Sequence, residues 1–147
     1  MSNTDRAALI DAVGNLVAAP APAGAIALAE ALRARHGDTV AAVLFYGSNF
    51  RRADDRDGLL DLYVLMDDAR DTLGALSAFA CRRLPPNVYY RELPLADRTV
   101  RCKYALLETG AFVRHMTAQQ SYFWGRFGQA SGVLYVRDDA ARTQVLQ

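Results

Sequence analysis

The stretch from Ala41 to Asp68 constrains the fold of this chain most, because it predicts two short strands joined through a tight turn. Val43 to Tyr46 is an apolar run of strand-forming residues that stops at Gly47-Ser48. A second apolar run, Leu59 to Met66, is interrupted by one carboxylate, Asp61. A lone acid in such a strand must be paired, hydrogen-bonded or metal-bound, since a buried unpaired charge is costly. Asp61 is therefore the first candidate for a chemical role.

The length and composition are those of one globular domain covering residues 1–147. Of the 147 residues, 52% are hydrophobic and 22% charged, and a chain of this size buries roughly two-thirds of its unfolded surface. The formal net charge of +1 argues neither for nor against a polyanionic partner, and we expect no nucleic-acid partner. Cys81 and Cys102 fit reduced thiols, and neither lies in a zinc-binding spacing. With no apolar stretch of membrane-spanning length and no signal-peptide pattern, we expect a cytoplasmic protein.

As far as about Gln120 the patterns predict elements in the order ααββαββα, followed by a less regular tail, which suggests an α+β fold: a small mixed sheet with flanking helices, mainly on one face. The predicted helices cover about Thr4–Val17, Ala23–His36, Asp67–Leu84, Ala111–Gln120 and Asp138–Leu146. Three further strands are predicted at Asn87–Leu93, Thr99–Leu107 and Val133–Val136. The first two of these are expected to pair as an antiparallel hairpin.

The Gly-Ser turn and the acid-bearing strand together predict a nucleotide site. Backbone N–H groups and the Ser48 hydroxyl offer places for phosphates, and a carboxylate on the next strand suits Mg²⁺. Nucleotidyltransferases usually carry Asp-x-Asp here, so that two carboxylates hold the metal; in this chain Tyr63 stands two residues after Asp61. The candidates for a second metal ligand are Asp57 and Glu92, with Asp97 as a further acid. The alternative is that Asp61 is a structural acid paired with an arginine.

Lys103 is the single lysine beside sixteen arginines, and it falls in the middle of a predicted strand. An ammonium is a compact charge suited to a phosphate oxygen, where the planar guanidinium fits poorly. The alternative is an ordinary surface lysine.

Aromatic residues cluster in the segment Tyr122 to Phe127, which also contains Arg126. That segment predicts either core packing or an amphipathic lip that meets a membrane interface or stacks on a base.

The succession of these motifs resembles the mitochondrial-type phosphatidate cytidylyltransferases, which form CDP-diacylglycerol from CTP and phosphatidic acid on a nucleotidyltransferase fold. The resemblance runs from about Phe45 to Gln129. The residues that carry it are Tyr46-Gly47-Ser48, Asp61, Lys103-Tyr104 and Gly125-Arg126. Asn49 and Ala105 stand where the family has glycine. Family members also have a helical C-terminal region, which we expect this chain to lack.

The resemblance implies a Mg²⁺-dependent transfer of CMP to phosphatidic acid, with contact at the inner face of the membrane. Tyr46, Gly47, Ser48 and Arg126 would bind the nucleotide, while Asp61 and Lys103 would be catalytic. Two alternatives stay open. A nucleotidyltransferase with a hydroxyl acceptor would favour an extra acid as base, and Glu92 should then face Asp61. A degenerate domain would bind nucleotide or a protein partner without turnover.

Overall fold

The computed structural model describes residues 3–17, 20–67, 87–118 and 121–146. The helices in this part of the chain are α1 (Asn3–Val17), α2 (Ala23–His36), α3 (Ser48–Arg52), α4 (Thr109–Thr117), α5 (Ser121–Phe127) and α6 (Asp139–Leu146). The strands are β1 (Val40–Tyr46), β2 (Leu60–Met66), β3 (Asn87–Pro94), β4 (Thr99–Glu108) and β5 (Gly132–Val136). A short 3-10 turn, Gly37–Thr39, connects α2 to β1.

The five strands form one mixed sheet in the order β3-β4-β2-β1-β5. Neighbouring strands are antiparallel except β2 and β4, which are parallel. β1 is buried at every position, as expected for a near-continuous apolar strand inside a sheet covered on both faces. The structure confirms the expected α+β fold, with a small mixed sheet and flanking helices.

Two hydrophobic clusters, one on each face of the sheet, form the core. On one face, Leu28 and Leu32 of α2 pack against residues such as Phe45 and Leu62. On the other face, apolar side chains of α4, α5 and α6 pack against alternate strand residues; the cluster includes Leu44, Tyr63, Phe112, Phe123, Phe127 and Val145. Among the described residues, α2 covers one face of the sheet, while α4, α5 and α6 cover the opposite face.

The predicted elements are present wherever the structure describes them, with boundary shifts of a few residues. The helix Ala23–His36 has the expected bounds, and the hairpin of β3 with β4 is antiparallel as expected. The prediction of a helix at 67–84 falls, apart from Asp67, outside the described residues. Two short helices, α3 and α5, were not predicted. α3 is a single turn bounded by Gly47 and Ala53, both at positive φ, and α5 is rich in aromatic residues of modest helix propensity.

A buried carboxylate from a loop anchors the start of α2. The N-cap residue Pro22 makes no side-chain capping bond, and Asp55 Oδ2 instead accepts the Gly24 N–H at 2.6 Å. Arg98 Nη2 donates to both Asp55 oxygens, at 3.0 and 2.9 Å. The loop after α3, the start of α2 and the β3–β4 turn are thus joined through Asp55.

The sequence predicts reduced cysteines and no membrane-spanning segment, and the structure bears on both points. Cys102 is buried on β4, and burial raises the pKa of its thiol to about 12, so that it stays protonated and unreactive at neutral pH. Cys81 lies outside the described residues. None of the described helices combines the length and the apolar character needed to cross a bilayer.

Candidate functional site

Four polar side chains form a row across the sheet. Tyr46 of β1 is paired with Asp61 of β2, Asp61 with Lys103 of β4, and Lys103 with Tyr90 of β3. Because directly paired residues project from the same face, all four lie on the face of the sheet that α4 and α5 cover. The mixed topology produces this row, since the parallel pairing of β2 with β4 places the predicted acid beside the predicted lysine.

Asp61 and Lys103 form an ion pair, with Nζ 3.0 Å from Asp61 Oδ1. The carboxylate is the more enclosed partner: its side chain is 22% exposed, whereas that of Lys103 is 49% exposed. Tyr63, two residues along β2, is fully buried on the same face. The lysine is therefore the partner more accessible to solvent or a ligand.

Gly47 brings the chain into close contact with Asp61. Its φ of 89° lies in the left-handed region that favours glycine. A Cβ at this position would lie 2.8 Å from Asp61 Oδ2, which is too close for a methyl group. The turn therefore needs glycine twice, for its backbone conformation and for the space beside the carboxylate. Ser48 follows as the exposed first residue of α3.

Asn49 stabilises the loop that follows the turn. It is buried, and its Nδ2 donates to the carbonyl oxygens of Asp57 at 3.2 Å and Leu59 at 3.4 Å. These bonds fix the chain that leads into β2 and so help to set the position of Asp61. The residue that departs from the family's glycine thus has a structural role here.

Arg126 of α5 lies against the same row from the helical side. Its Nη1 donates to the hydroxyl oxygens of Tyr46 at 3.1 Å and Tyr63 at 3.0 Å. The guanidinium carbon lies 5.8 and 6.0 Å from the two ring centroids, within the range of cation–π attraction. Sequence reasoning named Tyr46 and Arg126 but did not assign Tyr63 to the site. The signal was its spacing, because residues i and i+2 of a strand share a face.

The other predicted metal ligands lie apart from Asp61 or in solvent. Glu92 lies on β3 opposite Arg101 of β4 and accepts a hydrogen bond from Tyr90. It is two strands from Asp61, about 10 Å across the sheet, and offset along it. Asp57 is exposed in the loop before β2, and Asp97 pairs with Arg98. No three His, Cys, Asp or Glu side chains gather as a metal site within the described ranges.

The aromatic segment at α5 divides between core and surface. Phe123 is buried and Phe127 packs on Tyr46 and Tyr63, whereas Trp124 is 48% exposed. The Trp124 ring N–H donates to the Met116 carbonyl at 2.9 Å, which fixes the ring across α4 and α5. The core-packing interpretation holds for the two phenylalanines, and Trp124 is the aromatic residue available to a partner.

The donor set fits a Mg²⁺ ion that arrives with a nucleotide better than one bound by protein alone. Protein sites commonly hold Mg²⁺ through one or two carboxylates together with substrate phosphates and waters. Asp61 supplies one carboxylate on the strand beside the Gly-Ser turn. Lys103 already pairs with this group, so a metal there would have to displace the ammonium.

Comparisons with protein-family models and with curated proteins find no match to this chain. The functional inference therefore depends on the chemistry of the site and on the motif resemblance.

Proposed function

We propose that this domain is a Mg²⁺-dependent nucleotidyltransferase that transfers CMP from CTP to phosphatidic acid, giving CDP-diacylglycerol and pyrophosphate. The observation that carries the proposal is the contact of three predicted residues. Asp61 forms an ion pair with Lys103 at 3.0 Å, and a Cβ added to Gly47 would lie 2.8 Å from the same carboxylate. The choice of CTP and phosphatidic acid rests on the motif resemblance.

Each residue has a defined part in this proposal. Gly47 and Ser48 bind the β- and γ-phosphates through the turn, and Lys103 neutralises phosphate charge once released from Asp61. Arg126, held by the Tyr46 hydroxyl, adds positive charge at the same end of β1. Mg²⁺ held by Asp61 and the triphosphate would offset negative charge on the attacking and leaving oxygens.

The acceptor chemistry needs no additional base. A phosphate monoester has its second pKa near 6, so phosphatidic acid is mostly ionised at neutral pH and can attack the α-phosphorus directly. The bond from the acceptor oxygen to the α-phosphorus forms as the bond to the β-phosphate oxygen breaks, and pyrophosphate leaves. A hydroxyl acceptor would call for a carboxylate base facing Asp61. Glu92 instead contacts Tyr90 and Arg101, which favours the phosphate acceptor.

A non-catalytic nucleotide-binding domain is the second candidate, and the Asp61–Lys103 ion pair favours it. A carboxylate that already has a lysine partner is also a satisfactory structural arrangement. Turnover distinguishes the two candidates. Mg²⁺-dependent CTP binding without pyrophosphate release would identify the domain as a non-catalytic nucleotide-binding domain.

The assay that tests the proposal measures pyrophosphate release from each of the four NTPs, with Mg²⁺ and with or without phosphatidate vesicles. We expect release from CTP that requires both the metal and the vesicles. Release from another NTP would change the nucleotide assignment, and release without phosphatidate would overturn the acceptor.

Because phosphatidic acid stays in the bilayer, we further propose that the segment Tyr122 to Phe127 touches the membrane surface. The side chain of Tyr122 lies outside the described part of the structure, so Trp124, which is 48% exposed, supports this contact. Arg126 is the basic residue of the same helix, although its Nη1 donates inward to Tyr46 and Tyr63. Trp124 is the only tryptophan, and phosphatidate vesicles should shift its emission to the blue. Added salt should weaken the shift by screening the basic side chain. Emission that is already blue and indifferent to vesicles would contradict the contact.

A further inference from the structure

An apolar pocket of about 450 Å³ lies between the helices that cover the α4 face of the sheet. Its walls come from α1, α4, α5, α6, β1 and β5, and they include Phe112, Val113, Met116, Trp124, Val133 and Val145. Small-molecule sites typically measure about 300–1,000 Å³ and are lined mainly by apolar side chains. The size and lining therefore suit the hydrocarbon part of a ligand.

A smaller pocket of about 140 Å³ lies next to the first, and Val133, Val145 and Leu146 line both. Arg142 lines this second pocket, where its Nη2 would lie 2.9 Å from a Cβ at Gly14. The side chain is exposed, and its guanidinium has no ion pair or hydrogen bond to another of the residues that the structure describes. Among the described lining residues, which are mainly apolar with Thr117, Ser131 and Gln144 as polar members, Arg142 is the charged one.

We propose that these adjacent pockets bind a free fatty acid, with the alkyl chain in the larger pocket and the carboxylate at Arg142. Burial of the chain supplies the affinity, at about 25 cal/mol per Å² of apolar surface, and a charge-assisted hydrogen bond to the guanidinium orients the head group. This site is distinct from Asp61 and does not depend on the proposed nucleotidyl transfer.

The charge at the edge of the cavity selects the class of amphiphile. A cationic head group would be repelled by Arg142, and a neutral alcohol would keep the apolar contacts while losing the ion pair. The pocket is a concave cleft between helices and the sheet, so its shape suits one alkyl chain better than a flat bilayer surface. These features favour a monomeric single-chain anion.

The test titrates dodecanoate, below its micelle concentration, into the whole chain without nucleotide. Trp124 lines the larger pocket, so its fluorescence should change in a saturable way, with one molecule bound per chain by calorimetry. Dodecanol should bind more weakly, and dodecyltrimethylammonium more weakly still. Absence of saturable dodecanoate binding, or equal affinity for the cationic amphiphile, would overturn the proposal.

Two variants locate the binding site. Val113→Phe places a larger side chain in the larger pocket and should weaken both dodecanoate and dodecanol at least about tenfold. Arg142→Gln, at an exposed position, should weaken dodecanoate about tenfold and leave dodecanol unchanged. Arg35→Gln is the matched control, because Arg35 is an exposed arginine of α2, on the other face of the sheet.

Circular dichroism and thermal unfolding establish that each variant is folded. If Val113→Phe is not folded, Met116→Phe replaces it, and Arg142→Gln tests the head-group contact by itself. Dodecanoate affinity that is unchanged in Arg142→Gln would overturn the assignment of the carboxylate. A Trp124 response to phosphatidate vesicles but not to dodecanoate would replace the pocket with a membrane surface.

Discussion

At the scale of single residues, Asp61 presents a carboxylate from a central strand, and its ion-pair partner Lys103 is the more exposed of the two. Its backbone is held in β2 between β1 and β4, and its partner Lys103 is about half exposed. An ion pair of this kind contributes little to stability, because solvent screens it. Removal of the pair should therefore affect activity, under the proposed function, more than it affects stability.

Asp61→Asn should reduce pyrophosphate release about a hundredfold or more, since the amide keeps the shape but loses the charge that binds a metal. The free energy of unfolding should change by no more than about 1 kcal/mol, as expected for a partly exposed pair. Urea unfolding and the nucleotide assay measure the two effects. Asp11→Asn, an exposed acid of α1, is the matched control, and wild-type activity in Asp61→Asn would remove the metal assignment.

Lys103→Arg should lose nearly as much activity as Lys103→Ala, because the guanidinium is wider and bonds in a fixed plane. Both variants should fold, since the side chain is 49% exposed. Steady-state kinetics with CTP measure the effect. Near-normal kinetics for the arginine variant would mean that Lys103 supplies only diffuse positive charge.

Gly47→Ala should lose both stability and activity. The residue at position 47 has a φ of 89°, and the added methyl would press on Asp61 Oδ2. Gly37→Ala is a matched control, because Gly37 has a φ of 73° with nothing within 4 Å of the added Cβ.

Both glycine variants should unfold about 1–3 kcal/mol more easily from backbone strain. Only Gly47→Ala should reduce turnover in protein that is still folded. Equal turnover in the two variants would show that the close approach to Asp61 has no functional consequence.

Site residues could be predicted from the sequence where the pattern of their own strand identified them. Their distances from one another could not, because these depend on the order of the strands in the sheet. Asp61 and Lys103 were identified from strand patterns, and the parallel pairing of β2 with β4 brings them together. Glu92 was named as a ligand by its type, but its neighbours on the hairpin engage it. Strand order cannot be read from local periodicity, so the distance of Glu92 from Asp61 was not foreseeable.

At the scale of elements, the buried ion pair of Asp55 with Arg98 joins three segments that are distant in sequence. The side chain of Asp55 is 6% exposed and that of Arg98 is 23% exposed. In the sequence, Asp55 is one of several acids in the loop 54–57, and no local pattern distinguishes it from the others. Its role as an anchor for α2 became visible only with the packed structure.

Asp55→Ala should destabilise the fold by about 3 kcal/mol, since it leaves the Gly24 N–H without its acceptor and removes the buried partner of Arg98 Nη2. Asp97→Ala is the matched control. Asp97 pairs with the same arginine from the solvent side, where its own side chain is 62% exposed, and its loss should have a much smaller effect.

Urea unfolding of the two aspartate variants measures this difference. Equal midpoints would show that Asp55 does not anchor α2 as the hydrogen bonds indicate.

At the scale of the whole molecule, the sheet separates two environments. The α2 face is a continuous apolar core, whereas the other face contains the Tyr46–Asp61–Lys103–Tyr90 row and the helix-lined pocket. The fold class was predictable because strand and helix periodicities are local properties of the sequence. The division of helices between the faces was not, because it depends on how the C-terminal helices pack against the sheet.

We propose that this domain transfers a nucleotidyl group to a lipid phosphate. The most direct measurement follows CTP labelled at its α-phosphorus, incubated with Mg²⁺ and phosphatidate vesicles, into the lipid extract. We expect wild-type protein to move the label into lipid, and we expect folded Asp61→Asn not to do so. Label that stays in the aqueous phase with folded wild-type protein, or that enters lipid equally with Asp61→Asn, would contradict it.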